Sequence, residues 1–262
     1  MKKRKINLLF IALLFFIGFT ACEQTEEPGG IPGMGNTRGE LKIDKPFEVP
    51  EGLTIDAQGL DLISVRGSDG LANLKSPEGW DWGHTYGWGG TYHGGTDTLK
   101  KFVFWITVKL SISNISDSDL SFTIPKGTVF KVSDPKAQNG ITLKDLKFSI
   151  KANDTYNCQL MLMCLNRGRH GSGKELDYEI LGTTGSNLIK DLLVYLKGKK
   201  IGIENYLIVE SSAELKSVST RDFEKYKEIS DHIQNLIWKL TNDGKELSQE
   251  DIEYFHSLPN LE

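Results

Sequence analysis

Between residues 101 and 113 the chain alternates without a break: Phe102, Phe104, Ile106, Val108, Leu110 and Ile112 fall on one parity, Val103, Trp105, Thr107, Lys109, Ser111 and Ser113 on the other. A run of that length at period two makes a half-buried β-strand and nothing else. Asp117-Ser118-Asp119 then supplies turn chemistry, and residues 120–124 form a second strand. Pro125-Lys126-Gly127 makes a tight turn, expected to be type I, into a third strand at residues 128–132. Further strand-like runs lie at residues 146–150, 156–165 and 176–181. Short strands separated by turns at this spacing point to an antiparallel sandwich rather than a parallel sheet.

The tail changes period. Ser186 opens a helical pattern with Leu192, Leu193 and Leu196 on one face, closed by Gly198. Residues 219–222 make a capping box, with Val218 and Phe223 placed as its hydrophobic staple. The following helix carries Phe223, Tyr226, Ile229, Ile233, Leu236, Ile237 and Leu240 on its apolar stripe. Residues 242–244 break it, and residues 248–251 cap a last helix with Leu247 and Ile252 as staple and Phe255 and Leu258 facing inward. The expected fold class is α+β: an antiparallel immunoglobulin-like β-sandwich over residues 46–185, then a helical C-terminal part over residues 186–262 packed on it. At 39% hydrophobic residues, the 262-residue chain can fill that core.

The amino terminus has a different character. Lys2, Lys3, Arg4 and Lys5 precede an apolar run from residue 6 to 19, ending in Phe19-Thr20-Ala21-Cys22. This pattern is a secretory signal peptide, with an apolar run shorter than the roughly 20 residues a spanning helix needs. Small residues before a cysteine resemble a bacterial lipobox, which implies cleavage after residue 21 and lipidation of Cys22. The acidic Glu23-Gln24-Thr25-Glu26-Glu27 that follows is similar to the surface-export signal of Bacteroidetes lipoproteins. That resemblance implies an outer-membrane lipoprotein exposed at the cell surface, with the membrane as partner through Cys22. Residues 22–45, rich in glycine and polar side chains, are expected to be a flexible tether. Without the leader the chain holds 27 basic against 35 acidic side chains, a balance that argues against nucleic acid as a partner.

Only Cys158 and Cys164 remain beyond the anchor. Six residues apart on a strand, they would sit about 20 Å from one another, well beyond the 7 Å or so a disulfide tolerates between Cα atoms. Cys158 is expected to pack as a small hydrophobe.

Residues 80–95 concentrate aromatic side chains in a glycine-rich loop: Trp80, Trp82, His84, Tyr86, Trp88, Tyr92 and His93. Such rings either form a surface that stacks on a glycan or protein, or fold back as a lid over the sandwich. His84 and His93 with Asp81 or Asp97 match no strong zinc spacing, so no metal or other cofactor is expected. Arg167-Gly168-Arg169-His170-Gly171-Ser172-Gly173 is basic and glycine-rich but lacks the lysine and helix of a P-loop; a solvated turn is expected in preference to an anion site.

One more pair stands out. Cys164 ends a strand, and Gln234 lies on the long helix in Ile233-Gln234-Asn235-Leu236-Ile237-Trp238. Cysteine at a strand end before glutamine on a helix, in a hydrophobic-Gln-x-x-hydrophobic-Trp setting, resembles the thioester domains of bacterial surface adhesins. The resemblance implies an internal Cys164–Gln234 thioester that acylates an amine on a target. The chain departs from that pattern at Ile233, where threonine is usual, at Leu236, where alanine is usual, and at Met163, where an aromatic residue or leucine is common. No acid, base and nucleophile assemble into an enzyme site. The expected function is non-catalytic binding or adhesion at the envelope, toward a glycan or a host or envelope protein. Covalent adhesion through Cys164 and Gln234 is the alternative, and an accessory structural lipoprotein the third reading.

Overall fold

The computed structural model describes residues 29–60, 106–202 and 220–261. Nine strands and three helices follow one another in these segments: β1 (Ile43–Pro46), β2 (Leu53–Gly59), β3 (Ile106–Asn114), β4 (Leu120–Ile124), β5 (Thr128–Val132), β6 (Gly140–Ile141), β7 (Leu146–Ile150), β8 (Thr155–Cys164), β9 (Tyr178–Thr184), α1 (Asn187–Tyr195), α2 (Thr220–Asp243) and α3 (Gln249–Ser257). The architecture is α+β, and every ladder between these strands is antiparallel.

Seven strands form one open sheet in the order β1-β9-β5-β6-β8-β3-β2, and β4 pairs with β7 in a second, two-stranded sheet. The alternation in β3 is realised: Ile106, Val108, Leu110 and Ile112 are fully buried, and Lys109, Ser111 and Ser113 are partly exposed. Within the small sheet Phe122 and Phe148 stack as cross-strand partners, ring centroids 5.0 Å apart, and that sheet meets the large one where the edge of Tyr156 on β8 packs against Phe148 at 6.0 Å. A single antiparallel bridge between Gln58 and Asp177 draws the end of β2 toward β9.

The helices follow their sequence signals. Ser186 caps α1 by accepting from the Ile189 N–H, and Ser248 forms a complete capping box with Asp251 at the start of α3. Tyr226, Ile229, Ile233, Leu236, Ile237 and Leu240 of α2 are buried. The staple expected at Val218 and Phe223 lies outside the described residues and side chains.

Two local expectations change. The turn after β4 closes with the Thr128 N–H donating to the Pro125 carbonyl at 3.2 Å, which makes Gly127, at φ +78°, the third turn residue. A positive angle there belongs to type II geometry, not type I.

The larger change concerns the tether. Over residues 29–46 the chain lies against the body and does not form a free tether, and β1 is an edge strand of the main sheet paired with β9. Residues 29–41 form a strap. The Ile31 N–H donates to the Thr241 carbonyl at 3.0 Å, the Gly35 N–H to the Leu165 carbonyl at 2.8 Å, and Met34 is buried in the core. Glycine serves close approach here. A Cβ on Gly35, whose φ is +57°, would stand 2.2 Å from Asn242 Oδ1 and 2.8 Å from the Thr241 carbonyl oxygen. The composition that marks a flexible linker also permits backbone to lie against backbone, and that second use prevails.

Candidate cysteine and glutamine site

β8 lies between two strands that pair with different parts of it: β3 with residues 155–162, and β6 with Met163 and Cys164. Backbone groups of successive strand residues point to opposite sides. The Leu165 N–H turns toward β6 and donates to the Asn139 carbonyl at 2.9 Å, so the N–H and C=O of Cys164 face the other way. There they meet Gln234 of α2. The Cys164 N–H donates to Gln234 Oε1 at 2.8 Å, and Gln234 Nε2 donates to the Cys164 carbonyl at 2.9 Å. The carboxamide thus satisfies both backbone groups of one strand residue, as a neighbouring strand would.

The expected Cys164–Gln234 pair is therefore brought together, across 70 residues of sequence. Both residues are buried, Cys164 completely. Burial pushes the Cys164 thiol well above its ordinary range, so the sulfur is held as a neutral thiol. The phenol of Tyr178 on β9 is also raised, by burial first and by its neighbour Cys164 second. Cys158, the other thiol, is buried and raised by desolvation alone, consistent with a packing role.

Sequence reasoning missed the group that holds the strand end in place. Asn166 is fully buried: its Oδ1 accepts the Asn139 N–H at 3.0 Å, and its Nδ2 donates to the Gly35 carbonyl at 3.0 Å. Asn139 in turn accepts the Val132 N–H on Oδ1 at 3.0 Å. Asn166 thus joins β8, the approach to β6 and the strap. Its adjacency to Cys164 was the available signal, but an asparagine after a strand is far commoner as a turn residue.

On α2, one turn beyond Gln234, Trp238 lies under the Arg167 guanidinium, 5.8 Å from the ring centroid. The remainder of the basic loop is committed elsewhere. The His170 N–H donates to the Lys136 carbonyl at 3.0 Å and the Gln138 amide nitrogen to the Arg169 carbonyl at 3.0 Å. Burial lowers the Arg169 guanidinium, which reaches the Gly35 carbonyl of the strap at 3.5 Å. With its His170 N–H turned onto the neighbouring segment, the loop braces that segment and the strap.

The aromatic loop, including Trp80, Trp82, His84, Tyr86, Trp88, Tyr92 and His93, lies outside the described residues, as does Cys22. Among the described residues no three of His, Cys, Asp and Glu group as metal ligands, and no helix is long and apolar enough to cross a membrane.

Chemically, the arrangement holds a carboxamide on the backbone of a strand-end cysteine, its carbonyl oxygen accepting from that residue's own N–H. Fold and pair together define an α+β domain whose longest described helix, α2, reads the end of a β-strand through a glutamine. No protein family, curated protein or solved structure matches the chain.

Proposed function

We propose that the chain is a lipid-anchored cell-envelope protein that attaches to a partner at the surface, and that attachment is covalent, through a Cys164–Gln234 thioester. One observation carries this reading: the Cys164 N–H donates to the Gln234 carbonyl oxygen in a buried setting. In the reaction the Cys164 sulfur attacks the Gln234 carboxamide carbon and negative charge gathers on Oε1. A preorganised N–H at about 2.7–3.1 Å from that oxygen lowers the barrier. The C–N bond breaks, the thiol proton goes to the leaving nitrogen, and ammonia departs. The raised thiol supports proton loss in concert with sulfur attack rather than before it. Burial protects the product from hydrolysis until an amine of the partner takes the acyl group and returns the thiol.

The address rests on the leader and on Cys22, and the immunoglobulin-like description of the sandwich is part of the same proposal, supported by the contact of the small sheet with the large one through Phe148 and Tyr156. Intact mass of the mature chain tests the chemistry. A deficit of one ammonia relative to the sequence is expected, replaced by a methylamine adduct after methylamine treatment and absent from Cys164→Ala. Full mass with no methylamine uptake would sink it. A second reading has its own support, because the Gln234 amide satisfies both backbone groups of Cys164 whether or not a covalent bond forms. On that reading Gln234 is a lock between helix and sheet, and binding falls to other surfaces in an adhesive or accessory lipoprotein.

A further inference from the structure

The two elements that meet at Cys164 and Gln234 are also tied together by a third. The strap at residues 29–41 bonds the Leu165 carbonyl, one residue beyond Cys164, through the Gly35 N–H. It bonds the Thr241 carbonyl, two turns beyond Gln234 on the same helix, through the Ile31 N–H. Asn166 and Arg169, both on the segment leaving Cys164, add donors to the Gly35 carbonyl. Met34 is seated in the core between these bonds. The Gly35 contacts leave no room for a side chain against Thr241 and Asn242, so the fit is close along the face of α2.

We propose that residues 29–41 are a latch on the Cys164–Gln234 pair: seated, the strap clamps the end of β8 against α2 and closes the pair to water and amines; unseated, it opens the pair. In purpose this rests on the covalent reading above; in geometry it does not. A buried acyl group must be shielded from water yet reached by its target, and a segment held by a few hydrogen bonds and one buried side chain opens at far lower cost than a sheet. The strap meets that requirement, being joined to both partners while belonging to neither element.

The mature chain tests this with two strap variants, Gly35→Val, which wedges the strap at Asn242, and the milder Met34→Ala. Hydrogen exchange followed by mass spectrometry reads the strap at residues 30–37, the strand end at 162–168 and the helix at 234–243. Both variants are expected to speed exchange at the strap and, with it, at the strand end and helix by about tenfold or more, as losing one or two hydrogen bonds of a local opening would. Methylamine uptake at Gln234 should rise in step. In a chain that carries no thioester, Cys164 is a free thiol, and its alkylation by iodoacetamide, located by peptide mapping, replaces methylamine as the reading. The failure of the covalent reading is thereby separated from that of the latch. Fast exchange at residues 30–37 with unchanged exchange at 162–168 and unchanged reactivity would overturn the proposal, in either variant that retains a cooperative melt.

Discussion

A single carboxamide decides how β8 ends. Gln234 meets a donor and an acceptor that would otherwise be buried without partners, and an unsatisfied buried backbone group costs roughly 1–3 kcal/mol. Gln234→Ala is therefore expected to lower unfolding stability by about 2–4 kcal/mol in urea denaturation. Asn235→Ala, at the exposed next position of the same helix, should stay within about 0.5 kcal/mol. Equal losses at the two positions would show that the lock contributes nothing beyond helix propensity. The residue types were readable in advance, since a glutamine on an apolar helix stripe needs a partner. The partner atoms were not: the bonds go to the Cys164 backbone, which any residue would present, and side-chain identity gives no warning of that.

Elements differ in how far their own pattern determines them. β3 is readable because burial follows every second residue from Val108 on, and α2 because its apolar residues recur at helical spacing. Residues 29–41 have no such period. Their order depends on Thr241, Asn242, Leu165 and Asn166 being in place, which is information carried by distant segments. Met34→Ala separates a packed strap from a loose tether: loss of a buried methionine side chain is expected to cost about 2–3 kcal/mol in urea denaturation, against nothing for a flexible segment.

At α3 the capping chemistry was readable, and it has a pH signature. Burial alone would raise the Asp251 carboxyl, but its hydrogen bonds with Lys239 and Ser248 outweigh burial and hold it below the ordinary carboxylate range. A depressed folded value means that the stabilisation is complete above the unfolded carboxyl pKa of about 4 and is lost as pH falls through the folded value. Asp251→Ala should cost about 1–2 kcal/mol near neutral pH. Thermal melts taken down through the acid range should show the wild type converging on the variant; a constant gap would contradict the assigned ionisation.

For the molecule as a whole, no helix among the described residues is long and apolar enough to cross a membrane, and from Cys22 onward the sequence carries an excess of acidic side chains. On the proposed reading, membrane association comes from acyl chains on Cys22. Their contribution scales at about 0.8 kcal/mol per buried methylene, enough to hold an acidic domain at a surface when more than one chain is attached. The strap shortens the leash, because residues 23–28 are all that separate it from Cys22 in the sequence. Extended, those steps span at most about 25 Å at 3.3–3.6 Å per residue, so the face carrying the strap, Arg169 and the end of α2 stays close to the membrane, and a target amine must be presented there. Detergent phase partitioning of the protein from its native host tests the premise. The native protein should enter the detergent phase with an acyl mass on Cys22, and Cys22→Ser should remain in the aqueous phase with its body folded. A Cys22→Ser chain that still partitioned with detergent would require an apolar surface on the body itself and would remove the anchor from the argument.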